Sequence, residues 1–461
     1  MKKVLIIAYD FPPARTSGVY RPLRFARYLP EYGWQPVILT VKNYPKETLE
    51  ESLLGKLSPD ITIYRAYSLE LKRFENWVFN KFFKERAQQS SINNVTNHKE
   101  IRKRKIITPL IKRCIFSPLS RFAHNFIYTP DDKIGWVPLA VYEGVKAIKR
   151  EGIDLIFSTS PPETNHIVGL WLKRLTHKPW IADFRDPWTT NFSRANKSPL
   201  QLKHEKKLEH KVLSQAEGIV HIGNGLAQIT REVFADISPD KYHVITNGFD
   251  ESDYEGLNVE EIYNRNKTTY LNLVNIGTLY ETSGFEYFLK ALQRVLRDQN
   301  ISCNLRVSIV GPLYSSWREI LSKPPFKNNV DLLGFKPHQE TIRLMMAADV
   351  LLLMPAGGNE LMRDKIITGK VFELMRSGRP ILLIGWKGEA SQIIQKSGLS
   401  KFVPCGDIDL IEKSILEYYN RKFNGELNEI PNWDYIKQFD VRTLTGKLAE
   451  QFISVYEKYD S

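Results

Sequence analysis

A lysine and a glutamate three residues apart are the side chains best suited to binding chemistry in segment 369–382, GKVFELMRSGRPIL. The ammonium group of Lys370, at a predicted helix start, would neutralise a phosphate group. The carboxylate of Glu373 would accept hydrogen bonds from two vicinal hydroxyls. Alternatively, the two side chains pair with each other on a solvated helix face.

Four further candidates follow predicted strands. Arg185 and Asp186 come after the strand 180–184 and could meet the phosphate and hydroxyls of a ligand, or form an ion pair that ends the strand before Pro187. Gly18 lies in a strand-to-helix loop where backbone amides can approach an anion, although an ordinary turn would look the same. His166, at a predicted helix start, is a cleft candidate, although a lone histidine is more often structural.

Short apolar runs separated by amphipathic stretches predict the strands and helices that position these residues. The predicted strands are 4–8, 35–40, 155–158, 180–184, 218–222 and 243–246, then 271–276, 305–310, 330–333, 350–353, 380–384 and 402–404. A polar stretch near 250–268 separates the two sets as a candidate linker. This pattern, in 461 residues, predicts two doubly wound parallel sheets with ligands at the carboxyl ends of the strands.

The composition argues against a disordered, a membrane-spanning, a disulfide-linked and a zinc-binding protein. Hydrophobic residues make up 42% and charged residues 25% of the chain, which is typical of globular proteins. No run of about eighteen apolar residues occurs, so no membrane span is expected. The three cysteines are far apart, which indicates neither a disulfide framework nor a zinc site and fits a reducing cytoplasm.

The positive charge is concentrated in one segment. Between Lys72 and Arg121, thirteen basic residues face three acidic ones, so this segment carries ten of the net +13 charges. Aromatic residues are interleaved with the basic ones, which favours an anionic membrane surface. A solvated helix face and a nucleic-acid patch are the alternatives.

Taken in order, the motifs resemble those of family-4 glycosyltransferases of the bacterial surface-polysaccharide type. The matching segments are FPP at 11–13 with its glycine loop and arginine, GWQPVILT at 33–40, STSPPETNH at 158–166, DFRDPW at 183–188, NGFD at 247–250 and the segment 369–382. The resemblance implies a GT-B fold, in which two Rossmann-like domains face each other across a cleft. It also implies that Glu373 binds the donor's ribose hydroxyls and that Lys370 faces its pyrophosphate.

The chain departs from the family pattern at two places. After the strand 271–276 the family often has an arginine and a lysine, whereas this chain has GTLYETSG at 277–284. The first glutamate of the family's glutamate pair is replaced by Lys365. Arg363 or Lys365 is therefore a candidate for the missing positive charge, an exposed charged loop being the alternative.

The resemblance implies a domain plan and an activity. The plan is an acceptor-binding domain at 1–252 with a basic insertion at about 70–130, a donor domain at 265–440, and a terminal helix at 441–461 that crosses back. The predicted activity is hexosyl transfer, with retention, from a nucleotide-sugar to a glycan or polyprenyl-linked acceptor, at the cytoplasmic face of the plasma membrane. Neither a cofactor nor a metal is required, and nucleic acid is not an expected partner. The predicted catalytic residues are Asp186, Arg185 and His166, and the predicted donor-binding residues are Gly18, Asn247, Gly277, Lys365, Lys370 and Glu373.

Two other functions stay open at this stage. The same scaffold supports a sugar-nucleotide epimerase or a phosphorylase, because a fold does not decide a reaction. A non-catalytic membrane-binding or nucleic-acid-binding protein is the second alternative.

Overall fold

A computed structural model describes residues 1–45, 49–69, 128–191, 197–265, 268–357, 360 and 362–460 of the chain. These residues form two compact units. Unit 1 contains 1–220, 231–243 and 449–461, and unit 2 contains 221–230 and 244–448. Residues 70–127 lie outside the described residues, and they include most of the predicted basic insertion and the whole segment between Lys72 and Arg121 that is predicted to bind a membrane.

Unit 1 is built on a seven-stranded sheet with the order β3-β2-β1-β4-β5-β6-β7. The strands are β1 (Lys2–Ile7), β2 (Trp34–Val41), β3 (Thr62–Ala66), β4 (Leu155–Ser160), β5 (Trp180–Phe184), β6 (Gly218–His221) and β7 (Tyr242–Val244). The pairs among β1 to β5 are all parallel. β1 and β2 contain long apolar runs and β4 is buried along its whole length, as expected for a parallel sheet that is covered on both faces.

The helices of unit 1 follow its strands. They are α1 (Tyr20–Tyr28), α2 (Val137–Glu151), α3 (Thr164–Thr176) and α4 (Pro199–Gln215), and α5 (Asn224–Val233) comes next along the chain. Left-handed residues end two of them, Gly152 after α2 and His177 after α3. Glycine adopts that conformation without steric cost and therefore gives α2 a sharp end.

Unit 2 is built on a six-stranded sheet with the order β10-β9-β8-β11-β12-β13. Its strands are β8 (Leu271–Ile276), β9 (Leu305–Val310), β10 (Val330–Gly334), β11 (Val350–Leu353), β12 (Ile381–Gly385) and β13 (Ser400–Pro404). All neighbours pair in parallel. The carboxyl ends of all six strands therefore meet at one edge of the sheet, called here the carboxyl edge, and their amino ends at the opposite, amino edge.

Helices alternate with these strands. They are α6 (Val259–Arg265), α7 (Phe285–Val295), α8 (Gln299–Cys303), α9 (Ser315–Leu321), α10 (His338–Ala347), α11 (Lys370–Arg376), α12 (Glu389–Lys396), α13 (Ile408–Asn424), α14 (Trp433–Ile436) and α15 (Val441–Asp460). The last of these, α15, has its residues from Ala449 onward in unit 1. No helix among the described residues is long and apolar enough to cross a membrane.

The predicted fold class is confirmed, since both sheets are parallel and alternate with helices. Each of the twelve predicted strands occurs with its ends shifted by at most two residues. The prediction missed β3, a sheet-edge strand whose residues are mostly only partly buried. The polar stretch near 250–268 has local structure of its own, including the helix α6, and lies in unit 2.

Candidate active site

At the carboxyl edge of the unit 2 sheet, a lysine side chain lies against a glycine backbone. Gly277 follows β8 with a φ of 89°. A Cβ added to it would stand 2.2 Å from Nζ of Lys370, a distance that no side chain could tolerate. The absence of a side chain at Gly277 therefore lets the ammonium group lie directly beside the backbone where the first strand ends.

A second glycine holds this backbone in place. Gly311 follows β9 with a φ of 127°, and a Cβ there would lie 2.8 Å from the carbonyl carbon of Gly277. The amide of Gly277 donates to the carbonyl of Val310 at 2.6 Å. The ends of β8 and β9 are thus in backbone contact, which only glycines at both positions permit.

Burial disfavours the charged form of Lys370. Desolvation lowers the pKa of its ammonium group, and the carboxylate of Glu373 opposes that effect. Glu373 lies in the first turn of α11, three residues after Lys370, and is partly buried. An additional negative group beside Lys370, such as a phosphate, would favour the charged form of the lysine further.

Asn247 reaches the same region from a different segment. A Cβ on Gly369, which precedes α11, would lie 3.9 Å from Nδ2 of Asn247. The neighbouring Gly248 packs against the carbonyl of Phe439, where a Cβ would come within 2.1 Å. The structure therefore brings Asn247 next to Gly369, at the start of α11.

Lys365 and Arg363 lie in the turn that precedes α11. The backbone of Lys365 packs on Gly225, whose added Cβ would be 2.6 Å from the Cβ of Lys365. Arg363 faces the ring of Trp386 at 5.4 Å and pairs with Glu360 at 3.5 Å.

Glu389 is a carboxylate that sequence reasoning missed. Its Oε1 accepts hydrogen bonds from the backbone and side-chain nitrogens of Asn224 at 2.8 and 2.9 Å, and its Oε2 accepts from the amide of Gly225 at 2.8 Å. It thereby satisfies amides at the start of α5, which otherwise lack partners. Only the fold brings Glu389 to Asn224, so no local sequence signal could have revealed this contact.

In unit 1, Arg185 holds three backbone segments together. Its Nε donates to the carbonyl of Ser160, its Nη1 to Gly18 and its Nη2 to Pro161, at 2.6 to 2.7 Å. Gly18 itself lies in a short 3-10 helix. The guanidinium of Arg185 is thus buried against one carbonyl before α1 and two carbonyls at the end of β4, and its predicted role in binding an acceptor stays a prediction.

The charge pair beside β5 involves Asp183 and Arg21. Arg21 donates to both carboxylate oxygens of Asp183, at 3.0 and 2.8 Å, and the hydroxyl of Thr159 donates at 2.6 Å. Burial acts to raise the pKa of Asp183, but the charge and hydrogen bonds of Arg21 hold it below its usual value. Asp186, the residue predicted for catalysis, is exposed after the end of the same strand.

His166 lies in the core of unit 1. Its ring has no exposed surface, its Nδ1 is 2.8 Å from the hydroxyl of Ser158, and it packs on Phe184. Trp180 donates to the same hydroxyl at 2.9 Å. Helix α3 turns the ring of His166 inward, a direction that its position in the sequence did not reveal, and its catalytic role stays a prediction.

Two carboxyl groups of unit 1 that the sequence did not single out have raised pKa values. Burial raises the pKa of Asp10, against the hydrogen bond from Tyr44 and the charge of Arg185. Burial and the charge of Glu163 raise the pKa of Asp131 to about 6. Asp131 accepts hydrogen bonds from the amide and hydroxyl of Thr164, at 2.8 and 2.7 Å.

Within the described residues, no group of three or more histidine, cysteine, aspartate or glutamate side chains is arranged to hold a metal ion.

Comparison with known proteins adds to this geometry. No protein-family model matches the chain. One curated relative, a putative colanic acid biosynthesis glycosyltransferase, WcaL, of Escherichia coli strain K12, is 23% identical over 175 residues. That match covers 34% of this chain and 43% of the relative, so the chain matches less than half of that protein's length.

Solved structures resemble the chain over nearly its whole length. Sucrose-phosphate synthase from Thermosynechococcus elongatus has a TM-score of 0.67 at 11% identity, and the match spans 99% of this chain and 100% of the synthase chain. Anabaena HepE in complex with UDP and glucose has a TM-score of 0.59 at 13% identity, with coverages of 98% and 100%. WaaG, a glycosyltransferase involved in lipopolysaccharide biosynthesis, has a TM-score of 0.55 at 13% identity, with coverages of 97% and 98%. These likenesses establish the GT-B fold for the two parallel-sheet units.

Proposed function

From this fold and the contact at its carboxyl edge, we propose that the chain is a glycosyltransferase. It moves a hexose from a nucleotide-sugar to a glycan or lipid-linked acceptor in the synthesis of a surface polysaccharide. The observation that carries the proposal is the ammonium group of Lys370, which lies against the backbone of Gly277 at the carboxyl end of β8. Ligands of parallel α/β sheets bind at this edge.

Lys370 has the position and charge that a leaving diphosphate requires. Its partial burial strengthens its interaction with a phosphate, because few water molecules compete for the ammonium group. Stabilising the charge that develops on a leaving group is the kind of electrostatic preorganisation that accelerates group transfer. Glu373, one helical turn along, binds the ribose hydroxyls in this proposal.

The first test is a thermal-shift screen of the wild type against uridine, guanosine, adenosine and thymidine diphosphates and their sugars. A ligand that binds only the folded protein raises its stability by RT ln(1 + [L]/Kd). We expect one base to raise the melting temperature of the wild type and to have no effect on Glu373→Ala. The control, Glu319→Ala, removes an exposed glutamate of unit 2 that is paired only with Lys323 and should respond like the wild type. If no nucleotide shifts the wild type, the donor site is wrong.

Turnover then distinguishes transfer from the other reactions of the scaffold. Lys370→Met should lower kcat by about 10²- to 10³-fold, the usual cost of removing one preorganised charge-stabilising group. Nucleotide diphosphate should be released only when an acceptor is present. Release or sugar isomerisation without an acceptor would favour a hydrolase, a phosphorylase or an epimerase.

The acceptor side of the proposal belongs to unit 1. Asp186 is exposed after β5 and is available to orient an acceptor hydroxyl, and Arg185 positions the loop that contains Gly18. Asp186→Asn should therefore raise the KM for the acceptor more than that for the donor. We propose retention of the anomeric configuration on the motif resemblance, and the anomeric proton coupling of the product tests it.

Metal independence is also part of the proposal, because Lys370 supplies a positive charge where other transferases use a cation. Activity should therefore survive treatment with EDTA.

We also propose that the protein binds an anionic membrane surface. The support for this is the sequence between Lys72 and Arg121, with its thirteen basic residues. Binding to vesicles that contain phosphatidylserine, reduced by salt and absent with phosphatidylcholine alone, is the expected result for a peripheral enzyme at the inner face of the membrane.

A further inference from the structure

A pocket of unit 2 lies at the edge of the sheet opposite Gly277. It has a volume of about 520 Å³, within the range of ordinary small-molecule sites. Part of its wall is the segment from Gly378 to Pro380, which leads into the amino end of β12, and another part is Tyr263, which precedes β8. The pocket therefore lies at the amino edge of the sheet, whereas Gly277 lies at the carboxyl edge, about 20 Å away along a six-residue strand.

Buried charged residues support the wall of this pocket. The guanidinium of Arg379 is almost fully buried, donates from Nε to the carbonyl of Ala348 at 2.8 Å, and faces the ring of Tyr263 at 3.7 Å. The hydroxyl of Tyr263 donates to Asp349 at 2.7 Å, and Lys422 pairs with the same carboxylate at 2.5 Å. The wall is thus a preformed network.

Two polar atoms of the lining residues have no hydrogen-bond partner among the described residues. They are Nη2 of Arg379, which can only donate, and Oε2 of Glu429, which accepts when ionised. Buried polar atoms are nearly always paired in native proteins, so these two atoms leave hydrogen-bonding capacity unused beside the pocket. The other oxygen of Glu429 is already bound by Arg421 at 2.7 Å, which offsets its charge.

The remaining lining residues define the chemistry of that partner. Three asparagines, at 258, 264 and 428, each offer donors and acceptors, and the indole ring of Trp433 and two prolines offer apolar faces. An anion would be opposed by Glu260 and Glu429, and a cation by Arg379. A neutral ligand that carries hydroxyl groups, each of which donates and accepts, together with C–H faces fits all of these features.

A neighbouring pocket enlarges this surface, so that a ligand larger than a single sugar ring could fit. It has a volume of about 510 Å³ and shares Trp433 and Val259 with the first. Gly378 allows the indole ring to lie close to the backbone, because a Cβ there would be 3.1 Å from the ring. Arg376, held by Glu251, faces the same ring at 5.5 Å. Trp433 therefore forms a wall common to two polar pockets.

We propose that these two pockets form a saccharide-binding site, centred on Trp433, for a neutral glycan of about two sugar rings. The site includes neither Lys370 nor Glu373 and does not depend on the proposed donor site. Sugar rings lie against the indole face, and their hydroxyls pair with Glu429, Arg379 and the asparagines.

The test uses maltose, cellobiose, lactose and N,N′-diacetylchitobiose as probes, with inorganic phosphate as the anionic probe, in saturation-transfer NMR and calorimetry on the full chain. We expect at least one disaccharide to bind. Trp433→Ala should weaken that binding by about tenfold or more, as the loss of a central aromatic contact does. Glu429→Gln should weaken it less, and Glu373→Ala should leave it unchanged.

Two variants keep the result interpretable. Trp433→Phe retains an aromatic face and should fold and bind more strongly than Trp433→Ala. Trp171→Ala removes a half-exposed tryptophan of unit 1 and should bind like the wild type. The proposal is overturned if no disaccharide binds, if phosphate binds at Trp433 instead, or if binding is lost in Glu373→Ala but retained in Trp433→Ala. The last result would assign the sugar to the donor site and leave the proposed function intact.

Discussion

At the scale of single residues, the decisive feature is the space that a missing side chain leaves. Lys370 can lie at the end of β8 only because Gly277 has no Cβ. The φ of 89° at this glycine is also a conformation that other residues adopt at a cost of about 1–2 kcal/mol. Both requirements fall on one residue, which makes it a sensitive point for mutation.

Gly277→Ala should therefore have two effects. The backbone strain lowers the free energy of unfolding of unit 2 by about 1–2 kcal/mol, and the new methyl group displaces the ammonium of Lys370 and abolishes the nucleotide-induced thermal shift. Gly406→Ala is the matched control, because Gly406 has a φ of 101° with open space around it. Gly406→Ala should lose stability through backbone strain but keep the nucleotide-induced thermal shift. Normal nucleotide binding by Gly277→Ala would contradict the proposed position of the donor.

Asp131 gives a second prediction at this scale. Its pKa is about 6 in the folded protein against 3.8 for an ordinary aspartate, so the folded state binds more protons between these values. Stability therefore falls as the pH rises from ~4 to ~6, by at most about 1.4 kcal/mol per pH unit, and is level above that. Asp131→Asn should remove this slope.

Melting temperatures of unit 1 measured between pH ~4 and ~7 would test the Asp131 prediction, with the exposed Asp240→Asn as the control that keeps the slope. An Asp131→Asn variant whose slope equals that of the wild type would show that the carboxyl titrates normally.

At the scale of elements, buried polar contacts fix the elements around the end of β5. Arg21 of α1 binds Asp183 of β5 through two hydrogen bonds, and Arg185 joins the ends of β4 and β5 to the loop before α1. Such contacts orient a helix relative to a strand more strictly than apolar packing does, because they depend on direction. The exposed Asp186 lies one residue beyond this arrangement.

Arg21→Met should lower the free energy of unfolding of unit 1 by about 3–5 kcal/mol, because it leaves the carboxylate of Asp183 buried without its cation. Chemical denaturation followed by circular dichroism measures the change. Lys146→Met, which removes a surface ion pair with Glu143, should have little effect. Equal effects of the two substitutions would mean that the buried pair contributes no more than a surface pair.

At the scale of the whole molecule, the chain begins and ends in the same unit. Residues 449–461 belong to unit 1, although the residues before them, 244–448, form unit 2. Phe452 of α15 packs on Trp34 and Phe157 with ring centroids 5.3 and 5.4 Å apart, and none of its surface is exposed. The last helix therefore completes the core of the first unit.

Phe452→Ala should consequently destabilise unit 1 by about 3–5 kcal/mol, the usual cost of truncating a buried phenylalanine. Hydrogen exchange of β1 and β2, read by mass spectrometry, would show the loss in unit 1 directly. Ile453→Ala changes the next, half-exposed residue of the same helix and should leave that exchange almost unchanged. Unaltered exchange in Phe452→Ala would indicate that α15 is dispensable for this core.

The sequence alone determined the alternation of strands and helices, because burial on both faces of a parallel sheet demands apolar runs that are visible in one dimension. It also determined that Lys370 and Glu373 share a helix start, since that relation is local. Only the tertiary structure decided which distant residues meet these elements: Gly277 beside Lys370, Glu389 at Asn224, and Arg185 on three carbonyls. It also decided that His166 points into the core, and that Arg379, Glu429 and Trp433 line one pocket. Such contacts join residues that are far apart in the chain, and they depend on side-chain direction, which local sequence patterns do not specify.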